Sequence, residues 1–101
     1  MLRHIVWWTL KDFADGHSAQ ENAVRVKEAS ESLKSIAAAL SVEVSFDVLA
    51  TATVPAQLVL QSSHANAGEL KKYAEDPVHQ QFLTLIKAVT ASRQALDYVI
   101  E

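Results

Sequence analysis

His79 and Tyr73 are residues of types able to move or donate a proton, an imidazole and a phenol on either side of a predicted helix start. Asp76 and Pro77 are suited to open a helix as N-cap and first helical residue, which puts His79 third in its first turn. A helix N-terminus disfavours the imidazolium ion, so His79 is expected neutral and able to act as a base beside a cavity. Tyr73 lies six residues earlier, across the Pro77 break, and its hydroxyl could polarise a carbonyl and steady a developing enolate. The structural alternatives are plain. His79 could pack on the helical turn and bond to backbone, and Tyr73 could be a core tyrosine with its hydroxyl reaching water. His4 alternates with Val6 and Trp8 and should point toward helices, either as a polar group of a pocket or as a core histidine with a satisfied ring. His17 and His64 fall in turn-like stretches and are expected in solvent. No HExxH or other close ligand spacing links the four histidines, so no metal site is expected.

The elements that would position these groups follow from periodicity. Residues 2–11 (LRHIVWWTLK) read as a strand with Leu2, His4, Val6, Trp8 and Leu10 on one face and Ile5 and Trp7 on the other. Asp15-Gly16-His17 is a turn signal. Ser18 and Glu21 form a capping box for a helix expected to run to about Leu40, with an inner stripe of Ala19, Ala23, Val26, Ser30, Leu33, Ala37 and Leu40. Residues 42–50 and 57–63 read as strands joined by a loop over Thr51 to Pro55. Asn66 and Asp76 cap two consecutive helices broken at Pro77, the second carrying Val78, Phe82, Leu85, Ile86 and Val89 inward. Residues 94–100 close the chain as a strand, with Asp47 and Asp97 read as rim or sheet-edge acids.

The order β-α-β-β-α-β predicts an α+β, ferredoxin-like subunit: a four-stranded antiparallel sheet with helices on one face, in a single domain of 101 residues. Two strands are apolar on both faces, and helices cover only one. A second copy of the same sheet is the simplest cover for the other, which predicts a homodimer. Trp7 and Trp8 must then serve opposite faces, one in the core and one at the seam. The net charge of −3 with scattered basic residues gives no nucleic-acid footprint, and no apolar run is long enough to span a membrane. Absence of cysteine excludes disulfides and thiolate chemistry and favours a reducing cytoplasm. Met1 leads straight into LRHIVWW and the apolar run stops at Lys11 and Asp12, so no export signal is expected.

The opening RHIV at 3–6, the segment YAEDPVHQQF at 73–82 and the closing Asp97-Tyr98 resemble the stress-responsive dimeric α/β-barrel (Dabb) family over nearly the whole chain. The resemblance implies a ferredoxin-like subunit whose sheet pairs with its mate to form an α/β barrel. A plant member cyclises a linear polyketide by an aldol reaction, with a tyrosine and a general-base histidine at the positions of Tyr73 and His79 and a further pocket histidine at that of His4. By this resemblance Tyr73 and His79 are the catalytic candidates and His4 a ligand-lining one; Trp8, Gln57 and Phe82 are further ligand-lining candidates by their positions. The chain also departs from the pattern. Asp76-Pro77 stands where the family often has His-Pro, and Gln57 stands where the cyclase has another histidine. Trp8 could fill space that a long substrate needs.

Three functions are consistent with these readings. The first is an apolar small-molecule pocket with acid/base chemistry beside a carbonyl. The second is a non-catalytic, stress-related dimer that binds an apolar ligand or a protein. The third follows the monooxygenases that share the barrel, either without a cofactor or handling haem. Nothing in the chain marks a haem ligand clearly, although His79 could be proposed, and no cofactor is expected.

Overall fold

The computed structural model describes residues 1–101, and the chain forms a helical layer on one antiparallel sheet. Strand β1 (Leu2–Leu10) leads into a short hairpin, β2 (Phe13–Ala14) and β3 (His17–Ser18), and then into helix α1 (Ala19–Ser30). A 3-10 turn over Glu31–Ser35 leads to β4 (Ser41–Ser45). After a long loop come β5 (Leu58–His64), α2 (Ala67–Glu75), α3 (Pro77–Val89) and β6 (Thr90–Val99). The main sheet has the order β4-β5-β1-β6 with every neighbouring pair antiparallel. Setting aside the small hairpin, this is the expected ferredoxin-like topology.

Local chemistry accounts for the elements. Asp15 and Gly16 both take positive φ, 53° and 78°, as a tight two-residue hairpin turn requires. The Ser18–Glu21 capping box is present in both directions. The Asn66 side chain caps α2 through the Glu69 N–H, and Asp76 caps α3 through the Val78 N–H at 2.8 Å.

Helix α1 stops well short of Leu40. The hydroxyls of Ser30, Ser32 and Ser35 each donate to a carbonyl three residues back, at 2.6–2.8 Å, and compete with the helical ladder there. The chain tightens into the 3-10 turn and then leaves the helix, burying Leu33 and Ile36 while Ala37 and Leu40 face solvent. The second long strand is also shorter than expected and ends at Ser45, although Phe46 and Val44 still pack on the core. β6 starts four residues earlier than predicted, directly after α3.

The core lies between the sheet and the helices. Val6, Trp8 and Leu10 of β1 and Leu58 and Leu60 of β5 meet Val26, Leu33, Phe82, Ile86 and Val89. The alternation in β1 therefore resolves as expected, with His4 and Trp8 on the helical side. On the opposite side Ile5, Trp7 and Val59 stay partly exposed and Leu96 is 54% exposed.

Candidate active site

Helices α2 and α3 do not cover β6, and the gap they leave is a cavity of about 690 Å³ between the sheet and α2–α3. Volumes of about 300–1,000 Å³ are usual for small-molecule sites. Its walls are mostly apolar, with Val6, Leu60, Leu70 and Ile86 among them, and His4, Trp8, Tyr73, His79 and Phe82 also line it. Five of the six expected site residues thus meet in one place. Gln57 does not. It is exposed at the far end of β5, where its side-chain oxygen accepts from the Leu10 N–H at 2.8 Å and its own N–H donates to the Trp8 carbonyl. It extends the ladder beside a different, smaller hollow.

The break between α2 and α3 places His79. The imidazole Nδ1 donates to the Ala74 carbonyl at 3.1 Å, a carbonyl that the Gln80 amide also reaches at 2.7 Å. A carbonyl only accepts, so Nδ1 carries the proton and Nε2 keeps its lone pair. Burial pushes the His79 pKa down, against the Ala74 carbonyl, which raises it; the nearby His4 and Arg93 charges add to the lowering. The ring is therefore a neutral base of fixed tautomer.

Tyr73 is 1% exposed and its ring lies between two imidazoles, with centroids 4.6 Å from His79 and 4.8 Å from His64. Its buried hydroxyl has no hydrogen-bond partner in the protein. Burial pushes the phenol up to about 12, and the Ser62 hydroxyl works weakly in the other direction. At neutral pH Tyr73 is a protonated donor, near the Ser62 hydroxyl but without a well-formed hydrogen bond to it.

His4 pairs with Asp97, Nδ1 to Oδ1, directly across the β1–β6 register. The acid holds the imidazole by one nitrogen and leaves the other free at the cavity wall, the arrangement in which a carboxylate orients a catalytic histidine.

The structure corrects the expectation for His64. It is not solvated in a turn but fully buried as the last residue of β5. Its Nδ1 donates to the Ala38 carbonyl at 2.8 Å and its Nε2 accepts from the Ser62 hydroxyl at 2.8 Å. Burial lowers its pKa as well. Sequence reasoning missed His64, Ser62 and the pairing role of Asp97. A period-two signal for the first two was present, because Ser62 and His64 continue the face of Leu58 and Leu60.

Taken together, fold and site define a ferredoxin-like subunit with one apolar, histidine-lined cavity between sheet and helices. Residues 2–100 match the Stress responsive A/B Barrel Domain (Dabb), and the chain belongs to that family. Among solved structures it is similar to a dimeric ferredoxin-like protein of unknown function from Bacteroides fragilis, at 25% identity and a TM-score of 0.82, covering 98% of this chain and 95% of that one. It shares its fold with the hydroxynitrile lyase of Passiflora edulis (17% identity, TM-score 0.77, 99% and 93% covered). It also shares it with SnoaB, a cofactor-independent oxygenase of Streptomyces nogalater (7% identity, TM-score 0.69, 98% and 91% covered). No curated protein matches the sequence.

Proposed function

We propose that the cavity is an active site for proton abstraction beside a carbonyl in an apolar small molecule, the class of step that starts an aldol cyclisation, and that the protein works as a homodimer. The observation that carries this reading is the convergence of a neutral imidazole with a free Nε2, on His79, and an unpartnered phenol, on Tyr73, on one apolar cavity. The Tyr73 hydroxyl is sealed from solvent, so a ligand carbonyl reaches it only by displacing the side chains over it, and then gives the phenol the acceptor it lacks. Hydrogen bonding there would stabilise the charge that develops on oxygen as His79 removes the α-proton. His4, held by Asp97, is placed to return a proton or to orient the substrate. Trp8 and Phe82 shape the cavity rather than close it. Fold likeness to a lyase and an oxygenase does not select a reaction, so the reading rests on the side chains of the site.

Exchange of α-protons into deuterium oxide tests the reading with a neutral probe, 2-nonanone, followed by NMR. The wild-type protein is expected to accelerate exchange. His79→Gln should lose at least about a hundredfold of that acceleration, the usual contribution of a positioned base. Tyr73→Phe should lose a comparable amount, because a single oxyanion donor is worth about as much. Equal exchange by wild type and His79→Gln, with both folded, would discard the mechanism.

A further inference from the structure

The cavity has one feature that proton abstraction does not use: the sign of its mouth. Lys87 on α3 and Arg93 on β6 both line it, and no Asp or Glu does. Neither cation takes part in an ion pair, although the chain as a whole carries a net charge of −3. The register explains why Arg93 stays free. Arg93 stands opposite Trp8 and Asp97 opposite His4, so both face the helical side. They are four residues apart along the strand, about 13 Å at the usual rise. Asp97 is also already engaged by His4. The Arg93 charge is close enough to His79 to oppose protonation of its ring. An unpaired guanidinium and an unpaired ammonium beside an apolar cavity favour a ligand group that is anionic and, for Arg93, able to accept two N–H bonds at once.

We propose that the natural ligand is an amphipathic anion, an oxo-carboxylate whose apolar chain lies in the cavity and whose carboxylate is held at the mouth by Arg93 and Lys87. This rests on the active-site reading above and adds the substrate class. The carbonyl then lies along the chain, within reach of Tyr73 and His79, and the head group fixes its depth. Holding the end remote from the reacting carbon supplies binding energy that orients the α-proton toward Nε2.

Titration calorimetry with three probes of equal chain length, decanoate, 1-decanol and decylammonium, separates charge from apolar burial. Wild-type protein should bind decanoate at least about tenfold more tightly than 1-decanol, and decylammonium most weakly. Added salt should weaken decanoate binding alone. The exposed pair Arg93→Gln and Lys87→Gln should bring decanoate down to the affinity of 1-decanol and leave 1-decanol unchanged. Equal affinity of wild type for decanoate and 1-decanol would overturn the inference, as would a preference that survives the double substitution. Either result leaves the acid/base reading to be decided by the exchange assay. Failure of all three probes to bind would overturn the cavity as a ligand site and the anion inference with it.

Discussion

Three of the four histidines converge on Tyr73 or its cavity, and two of them, His64 and His79, are held neutral by burial. For His64 the hydrogen bonds fix the tautomer of that neutral ring. Its Nδ1 donates to the Ala38 carbonyl, which leaves Nε2 of the neutral ring to accept from the Ser62 hydroxyl. Both rings have pKa values below the ordinary 6.5. Between their lowered values and 6.5 the unfolded chain binds more protons than the folded one, so stability rises with pH across that window and is lost as pH falls through it. The urea midpoint should therefore be flat above pH 6.5 and decline below it. His64→Phe should cost about 1–3 kcal/mol at neutral pH, because the Ala38 carbonyl and Ser62 hydroxyl lose their partner. It should also flatten the acid decline; an unchanged slope in this variant would show that His64 is not held neutral. The acid limb of the exchange reaction should likewise lie below pH 6.5, where His79 takes up its proton.

At the scale of elements, the α2–α3 junction does the positioning. The Asp76 carboxylate caps α3, Pro77 starts it without an unsatisfied N–H, and the Ala74 carbonyl at the end of α2 is left for His79. Asp76→Ala should cost about 1 kcal/mol, the usual worth of a cap. Ser18→Ala at the head of α1 should cost about the same. Only the first should also depress α-proton exchange, because only that cap orients the base; equal loss of exchange in both variants would count against the junction. The caps, the Asp15-Gly16 turn, the Pro77 break and the inward face of β1 were all legible in the sequence, because each rests on local chemistry. The end of α1 was not. Ala37 and Leu40 keep helical spacing, and competition from three serine hydroxyls overrides it. His64 was misplaced for a related reason. Its neighbours Ala65 and Asn66 look like a turn, and only pairing of Leu2 with His64 in the sheet shows that β5 extends that far. The role of Asp97 likewise depends on the β1–β6 register, a relation between residues 93 positions apart. Tyr73 and His79 were found because they fall together in the 73–82 segment that carries the family resemblance. The other groups around the cavity come from strands far apart in the chain.

The whole molecule is a slab, 17 Å along its shortest principal axis, with helices on one side of the sheet and nothing on the other. The bare side carries Ile5, Trp7, Val59 and Leu96, and the Trp7 indole is tied down by Gln94 at 2.9 Å. A contiguous patch of large apolar groups on one sheet face marks an interaction face. Sheets pack face to face at about 10 Å with their side chains interdigitated. The Bacteroides fragilis relative is described as dimeric. A two-fold pairing through this face is therefore the expected assembly, and sedimentation at micromolar concentration should give twice the chain mass of 11.1 kDa. Leu96 is the residue to change, because at 54% exposure its substitution does not disturb the core. Leu96→Glu would bring a carboxylate against its own copy across the two-fold axis, or bury it there, and should shift the protein to monomers with unchanged helical content. A wild-type monomer at that concentration would remove the dimer. The same variant separates assembly from chemistry. The cavity lies on the helical side of the sheet, away from the bare face that carries Leu96, so Leu96→Glu should still bind decanoate at the wild-type affinity; loss of that binding would mean that the second copy shapes the site.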